Sequence, residues 1–253
     1  DRDESPLTPG PSPRSTGARG GSLAGPLPSP LPGPLPVGSK AELVRQFQAL
    51  KTEALLANPL LDFPRLLLVK RGEKNLGLPA NYFGNSSLPP TGYDNEIAVL
   101  SPVRPEGKRT TLFRPAHGEF VGDVRLAYDA RRLMFSMPNA AGRWRIVEMG
   151  VDGSEPRELP LINESDVDNY DACYLPDGRI IFSSTACFAG IPCVNGIGHV
   201  ANLYLLETDG RIRQLTVEQD HDWCPTVLNN GRVLYLRWEY TDLPHAFSRI
   251  LFH

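Results

Sequence analysis

Four cysteines, Cys173, Cys187, Cys193 and Cys224, are the first residues to weigh for chemistry. Cys187 and Cys193 flank Phe-Ala-Gly-Ile-Pro, a five-residue turn able to bring the two sulfurs together. In an oxidising compartment the first expectation is a disulfide. Two separate thiols are the alternative, and no adjacent histidine completes a zinc set. Cys173 and Cys224 each precede an apolar strand, at almost equivalent places in a repeat. One reading makes them small buried residues in sheet packing. The other has a thiolate facing a central channel, near His221 and Asp222.

Other polar groups are gathered but less specific. Asp220-His221-Asp222 and Asp242-Leu-Pro-His245 set imidazole beside carboxylate at loops or strand ends. No His-x-His or His-Glu-x-x-His spacing accompanies them, so no metal ligand is assigned. Arg237, Trp238, Glu239, Tyr240, Asp242 and His245 form the densest polar-aromatic cluster. On a strand, charge and aromatic surface would fall on opposite faces. That pattern suits an ion pair with Trp238 in the core, or a ligand-binding rim. Glu164-Ser-Asp166-Val-Asp168-Asn-Tyr-Asp171 alternates oxygens as a calcium loop would, yet it lacks the glycine and closing glutamate of an EF-hand. A solvated loop is the first expectation there. Asn85-Ser86-Ser87 matches the glycosylation pattern, a match too short to decide anything. No Gly-x-Ser-x-Gly and no phosphate-binding Gly-x-x-x-x-Gly-Lys occurs, and no catalytic residue is assigned.

These groups need elements to hold them. Of the 253 residues, more than half of the first 39 are Gly, Pro or Ser, and leucine is almost their sole large apolar type. Such a segment cannot bury enough surface to offset its ordering entropy, which predicts a disordered tail over 1–39. The net charge of −3 argues against a nucleic-acid groove, and no apolar run approaches the length of a membrane span. A start at Asp1 and a stop within the strand-like Leu251-Phe252-His253 predict a fragment of a longer protein. Ser39-Lys-Ala-Glu42 is a capping box, and Leu43, Phe47, Leu50 and Ala54 share one helical face. Pro59 ends the run. An amphipathic helix over about 40–57, within a segment 40–59, is expected to pack against the domain that follows.

From Pro64 the pattern changes to short strands: Arg65–Arg71, Glu96–Ser101 and Thr110–Arg114. The stretch Asn75–Asn95 between the first two reads as a long ordered loop, of a length usually found lining a site or covering a surface. Three versions of one phrase follow: Asp129-Ala-Arg-Arg-Leu-Met-Phe135, Asp177-Gly-Arg-Ile-Ile-Phe182 and Asn230-Gly-Arg-Val-Leu-Tyr235. Each sets a turn former before an arginine and an apolar strand, as a tight hairpin requires. Tyr170 and Trp223 stand seven residues ahead of the later two. A second phrase, Val151-Asp-Gly-Ser-Glu-Pro-Arg-Glu-Leu159, returns as Thr208-Asp-Gly-Arg-Ile-Arg-Gln-Leu215. Four antiparallel strands in a period of about 50 residues is the grammar of a β-propeller blade. The predicted fold is therefore all-β: a partial propeller of four-stranded antiparallel blades over 60–253, preceded by one helix and the tail. Residues 124–160 and 170–216 make two blades, Trp223 opens another, and 65–114 supply an atypical earlier one, about three and a half in all.

Asn169-Tyr-Asp-Ala-Cys-Tyr-Leu-Pro-Asp-Gly-Arg179, Asp220-His-Asp-Trp-Cys-Pro-Thr-Val-Leu-Asn-Asn-Gly-Arg-Val-Leu-Tyr235 and Arg237-Trp-Glu-Tyr-Thr-Asp-Leu-Pro-His245 resemble a bacterial propeller family. That family is related to the middle domain of the hydrazine synthase alpha subunit and, more distantly, to the propeller of the Tol translocation system. The resemblance implies a propeller within a longer extracytoplasmic protein, with a protein partner or further blades of its own chain against it. It does not carry the enzyme activity over: the hydrazine synthase alpha subunit is a c-type cytochrome, and covalent haem needs Cys-x-x-Cys-His. No such motif occurs here, so no cofactor is expected on this stretch, and any haem would attach beyond His253. A non-catalytic interaction module is the first expectation, and a domain walling a haem pocket the second.

Overall fold

The computed structural model describes residues 39–80, 83–238 and 248–252, the last as backbone only; the side chain of Cys193 lies outside it too. The expected tail over 1–39 therefore falls almost wholly outside the described residues. The chain divides into two units, Asp1–Ala54 and Leu55–His253.

Helix α1 spans Lys40–Leu56. Ser39 Oγ accepts from the Glu42 amide at 3.3 Å, as a cap should, while the Glu42 carboxylate takes the Arg45 and Gln46 side chains. The expected apolar face is present but not buried: Leu43, Phe47 and Leu50 are all exposed, and α1 has no buried residue.

The described residues of the second unit form four antiparallel meanders, each of strands consecutive in sequence. The first holds β1 (Leu66–Lys70), β2 (Glu96–Ser101) and β3 (Lys108–Phe113). Next come β4 (Gly122–Leu126), β5 (Arg132–Pro138), β6 (Trp144–Gly150) and β7 (Arg157–Glu158). The third sheet holds β8 (Asn169–Tyr174), β9 (Ile180–Ser184), β10 (Asn202–Leu206) and β11 (Ile212–Gln214). The fourth has β12 (Asp222–Val227), β13 (Val233–Trp238) and β14 (Ser248–Phe252). Four like sheets at the expected period are blades of a β-propeller.

Packing explains why both faces of the middle strands are apolar. Strand side chains alternate between faces. On β5, Leu133 and Phe135 join Ile97, Val121 and Met149 between the first and second sheets. Met134, from the other face, joins Ile146, Ala172, Tyr174, Phe182 and Tyr204 between the second and third. Ile181, Leu203 and Leu205 then turn towards Tyr235 of the fourth. A buried carboxylate adds to one joint: Glu148 on β6 accepts from the Tyr174 hydroxyl at 3.0 Å and pairs with Arg157 at 2.7 Å.

The repeated phrase makes a like turn three times, one residue longer in the first copy. Leu175 N–H bonds Arg179 O, and Leu228 N–H bonds Arg232 O, each at 2.8 Å; Ala127 N–H bonds Arg132 O at 2.9 Å. Asp129, Asp177 and Asn230 each accept the amide two residues on, an Asx turn. The turn's left-handed residue is Gly178 (φ 90°) and Gly231 (φ 81°), but Ala130 (φ 54°) in the first copy. A Cβ is costly in that conformation. Ala130→Gly is therefore expected to stabilise the protein by roughly 0.5–1 kcal/mol in urea unfolding, an unusual sign for a glycine substitution.

Candidate functional site

The innermost strands of the second, third and fourth sheets are each broken by a bulge at the same place. A bulge inserts a residue, bends the strand and re-aims a side chain. The bulge residues with positive φ are Asp123 (52°), Asp171 (51°) and Cys224 (57°), and they converge where the blades meet. Asp171 lies in the field of Asp123, receives hydrogen bonds from the Cys224 thiol and backbone N–H, and faces Arg125 Nη2 at 3.9 Å. Ser136 Oγ accepts the Asp171 amide at 2.8 Å, linking the third sheet to the second.

The long loop between β1 and β2 closes this centre. Asn85, in a short 3-10 turn, donates to Asp123 Oδ2 at 2.6 Å. A Cβ on Gly84 would collide with the Tyr170 hydroxyl, so only glycine lets the loop lie this close. Beneath it Tyr93, Phe120, Trp144 and Tyr170 touch edge to face in series, with centroids 5.4, 5.0 and 6.3 Å apart. The Arg71 guanidinium sits 4.7 Å above Phe120. The expected ordered loop thus covers a site. Asn85 is buried and bonded through its amide nitrogen, which disfavours the glycosylation suggested by its tripeptide.

Electrostatics make the centre a store of protons. Burial, reinforced by the Asp123 charge, pushes the Asp171 carboxyl up to about 7 against the pull of Cys224 and Arg125. Burial, then the Asp171 charge and hydrogen bond, raise the Cys224 thiol far above the ordinary cysteine value. Cys224 is at the centre as a buried thiol, not as the thiolate of the alternative reading. Native Cys224 should accordingly react with iodoacetamide at pH 8 at least tenfold more slowly than in the urea-unfolded chain, as read by mass spectrometry.

Other expected site residues fall elsewhere. The equivalent of Cys224 is Asp171, not Cys173. Cys173 lies two positions beyond the bulge, packed on Ile181, Leu203, Leu205 and Tyr235, and burial pushes its thiol up to about 12. It does not face a channel. Cys187 is a thiol donating to Val200 O at 3.2 Å, while the side chain of Cys193, its expected bridge partner, lies outside the described residues. The turn between them is organised by its own backbone, with a bridge between Gly190 and His199 and a 3-10 turn at Pro192–Val194.

His221 and Asp222 are fully buried but engaged at a blade joint. His221 Nδ1 accepts the Ala201 amide at 3.0 Å, and its ring lies against Trp223 and Trp238. Asp222 takes a two-pronged bond from Arg237 at 2.9 and 3.2 Å, and Arg237 also faces Glu218 at 3.6 Å. Arg237 and Trp238 are thus an ion pair and a core residue. Glu239, Tyr240, Asp242 and His245 of the expected rim lie outside the described residues. The alternating oxygens of 164–171 diverge: Asp168 caps Trp144 N–H at 3.0 Å while Asp171 belongs to the centre. Among the described residues, no three His, Cys, Asp or Glu side chains are placed to hold a metal, and no helix is long and apolar enough to cross a membrane.

No protein-family model matches the chain, and no curated protein matches it. Among solved structures it is similar to Kuenenia stuttgartiensis hydrazine synthase, with a TM-score of 0.59 and 15% identity over 75% of this chain and 30% of that one. TolB from Acinetobacter baumannii aligns at a TM-score of 0.43 and 16% identity, over 62% of this chain and 37% of that one. The β-propeller domain of the trilobed protease from Pyrococcus furiosus aligns at 0.41 and 9%, over 75% and 51%. The chain therefore spans less than a third of the hydrazine synthase chain. The likeness to hydrazine synthase is one of fold alone.

Proposed function

We propose that the chain is a non-catalytic interaction module, part of the propeller of a larger exported bacterial protein similar to the hydrazine synthase alpha subunit. The observation that supports this is the state of the centre. The groups that the bulges bring together are spent on one another and on the chain's own loop: Asp171 on Cys224, Asp123 on Asn85. Pre-paired, buried side chains of this kind fix blade geometry and leave the outer surfaces to recognise partners.

A propeller closes with typically four to eight blades, and further blades of the same polypeptide are the proposed neighbours of the first and last sheets. Covalent haem does not fit the cysteines here: none belongs to a Cys-x-x-Cys-His motif, and Cys173 is packed in a joint. Purification of the longest natural polypeptide containing this chain, co-expressed with cytochrome c maturation factors, tests the reading. A product without the haem absorption band is expected. A c-type spectrum would replace this reading with a redox enzyme whose propeller walls the haem.

A further inference from the structure

Asn95 and Asn202 do the same job in two different sheets. Asn95 donates to Glu119 O at 2.9 Å and accepts Val121 N–H at 2.8 Å. Asn202 donates to Glu218 O at 3.1 Å and accepts Glu218 N–H at 2.8 Å. Each amide stands at the start of a strand and pins the segment that leads on to the next sheet. Asn202 opens β10, the third strand of its sheet counted from the innermost, so β2 is a third strand too, β1 a second and β3 an outermost one. The described residues of the first sheet therefore include no innermost strand. Where β5, β9 and β13 carry β4, β8 and β12, the edge of β1 is open.

That edge has the make-up of a paired strand. Among the described residues the backbone of β1 bonds only to β2, in an unbroken register from Leu66–Leu100 to Lys70–Glu96. Leu133, Met134 and Phe135 of β5 and the whole of β9 are buried, whereas no residue of β1 is. Edge strands that stay open are usually interrupted by a proline, a charge or a bulge, and Leu66-Leu67-Leu68-Val69 has none of these. The joint beside it is underfilled as well. Leu126 on β4 matches Tyr174 on β8, since they pair with the corresponding Leu133 and Ile180. Tyr174 is 9% exposed, in a core that also holds Ala127, the residue after Leu126. Leu126 itself is 47% exposed and lines a hollow of about 170 Å³ with Arg65, Leu67, Val99, Ala130 and Val151. The neighbour it lacks is the counterpart of Ala127 on an innermost strand of the first sheet.

We propose that the edge of β1 binds an extended segment from a further part of the same polypeptide, antiparallel to β1, as the innermost strand of the first sheet. The three innermost strands present specify its sequence. Asp123, Asp171 and Cys224 are each followed at three and four positions by an apolar pair: Leu126-Ala127, Tyr174-Leu175 and Val227-Leu228. The segment accordingly carries a short polar residue and, three and four positions on, two apolar ones. The second of these fills the hollow, as Ala127 and Leu175 enter the cores of the next two joints. Residues 1–38 hold no such stretch: they have no cysteine, and Asp1 and Asp3 are followed by charged and proline-rich sequence that cannot complete a ladder. The inference rests on the reading of the chain as part of a larger polypeptide and names what that polypeptide adds to the first sheet.

Hydrogen exchange of the longest natural polypeptide containing this chain tests it. Every amide from Leu66 to Lys70 should be protected, whereas on an open edge alternate ones exchange at least about a hundredfold faster. The 253-residue chain alone should show that alternation. A capped Asn-Tyr-Asp-Ala-Cys-Tyr-Leu peptide, kept reduced, should remove it saturably. Methylating the peptide nitrogens that face β1 should abolish this binding, and methylating the alternate set should leave it. Alternation in the long polypeptide, no protection by the peptide, or equal loss with both methylated sets would overturn the proposal. So would equal peptide binding to the long and short chains, which would give the edge to a separate protein. The scaffold reading fails differently: an open edge without a haem band leaves that reading standing, and a closed edge with a haem band leaves this one.

Discussion

Replacing Trp144 by alanine is expected to cost about 3–5 kcal/mol of stability, among the largest losses from any single side chain here. Trp144 is 2% exposed and is the middle ring of the series running from Phe120 to Tyr170. Its removal takes away a large apolar surface and the contact on both sides, in a place where backbone hydrogen bonds hold the walls and limit collapse. The effect should extend to the loop above, because Gly84 leans on Tyr170 and Tyr170 on Trp144. Urea unfolding gives the loss, and native-state hydrogen exchange should show residues 83–88 losing protection before the sheets do. A loss below 1 kcal/mol would mean that the aromatic series is surface decoration.

The second large effect concerns pH. In the folded chain the Asp171 carboxyl is pushed up to about 7, whereas a free aspartate titrates near 3.8. Between those values the folded state holds a proton that the unfolded state has released, so stability falls as pH rises through this window and levels off above it. The loss is on the order of a few kcal/mol. Asp171→Asn cannot ionise, and asparagine tolerates the positive φ at that position. The variant should be more stable than the parent at pH 8 and little changed near pH 4. The difference between parent and variant isolates this group from carboxylates of opposite sign. Asp94, held low by Lys70, and Glu96, held low by Thr111 and Arg114 despite its burial, both favour folding at higher pH. A flat difference between pH 4 and 8 would contradict the buried proton.

Much of the blade grammar was legible because turns are local. Asp177-Gly178 and Asn230-Gly231 carry their own conformational instructions, and the strands after them alternate between two apolar neighbours. The centre was harder, since convergence of residues from three sheets is not local. A signal existed: the residue after each marker aromatic, Tyr170 and Trp223, is the bulge residue, Asp171 or Cys224. It was obscured in the first copy, where Gly122 precedes Asp123. The reason is steric, because a Cβ on Gly122 would run into Phe120 and Arg71, which fill the space that the aromatic takes elsewhere. Cys173 misled because it stands three residues after its marker aromatic, whereas Cys224 stands one after its own, so the two cysteines are not at equivalent places. Asn85 had no spacing to betray it, only a place in a loop too long to be idle. Helix α1 shows the opposite limit: its periodicity was plain, and its exposure is a matter of tertiary context.

The central claim, that bulge residues of successive blades face one another around a shared axis, is tested most directly by following the Asp171 carboxyl carbon by NMR through a pH titration. The parent should titrate near 7, and Asp123→Asn should lower the midpoint by removing a like charge from the neighbouring blade. A midpoint near 4, unmoved by that substitution, would place the two aspartates apart and the blades in some other arrangement.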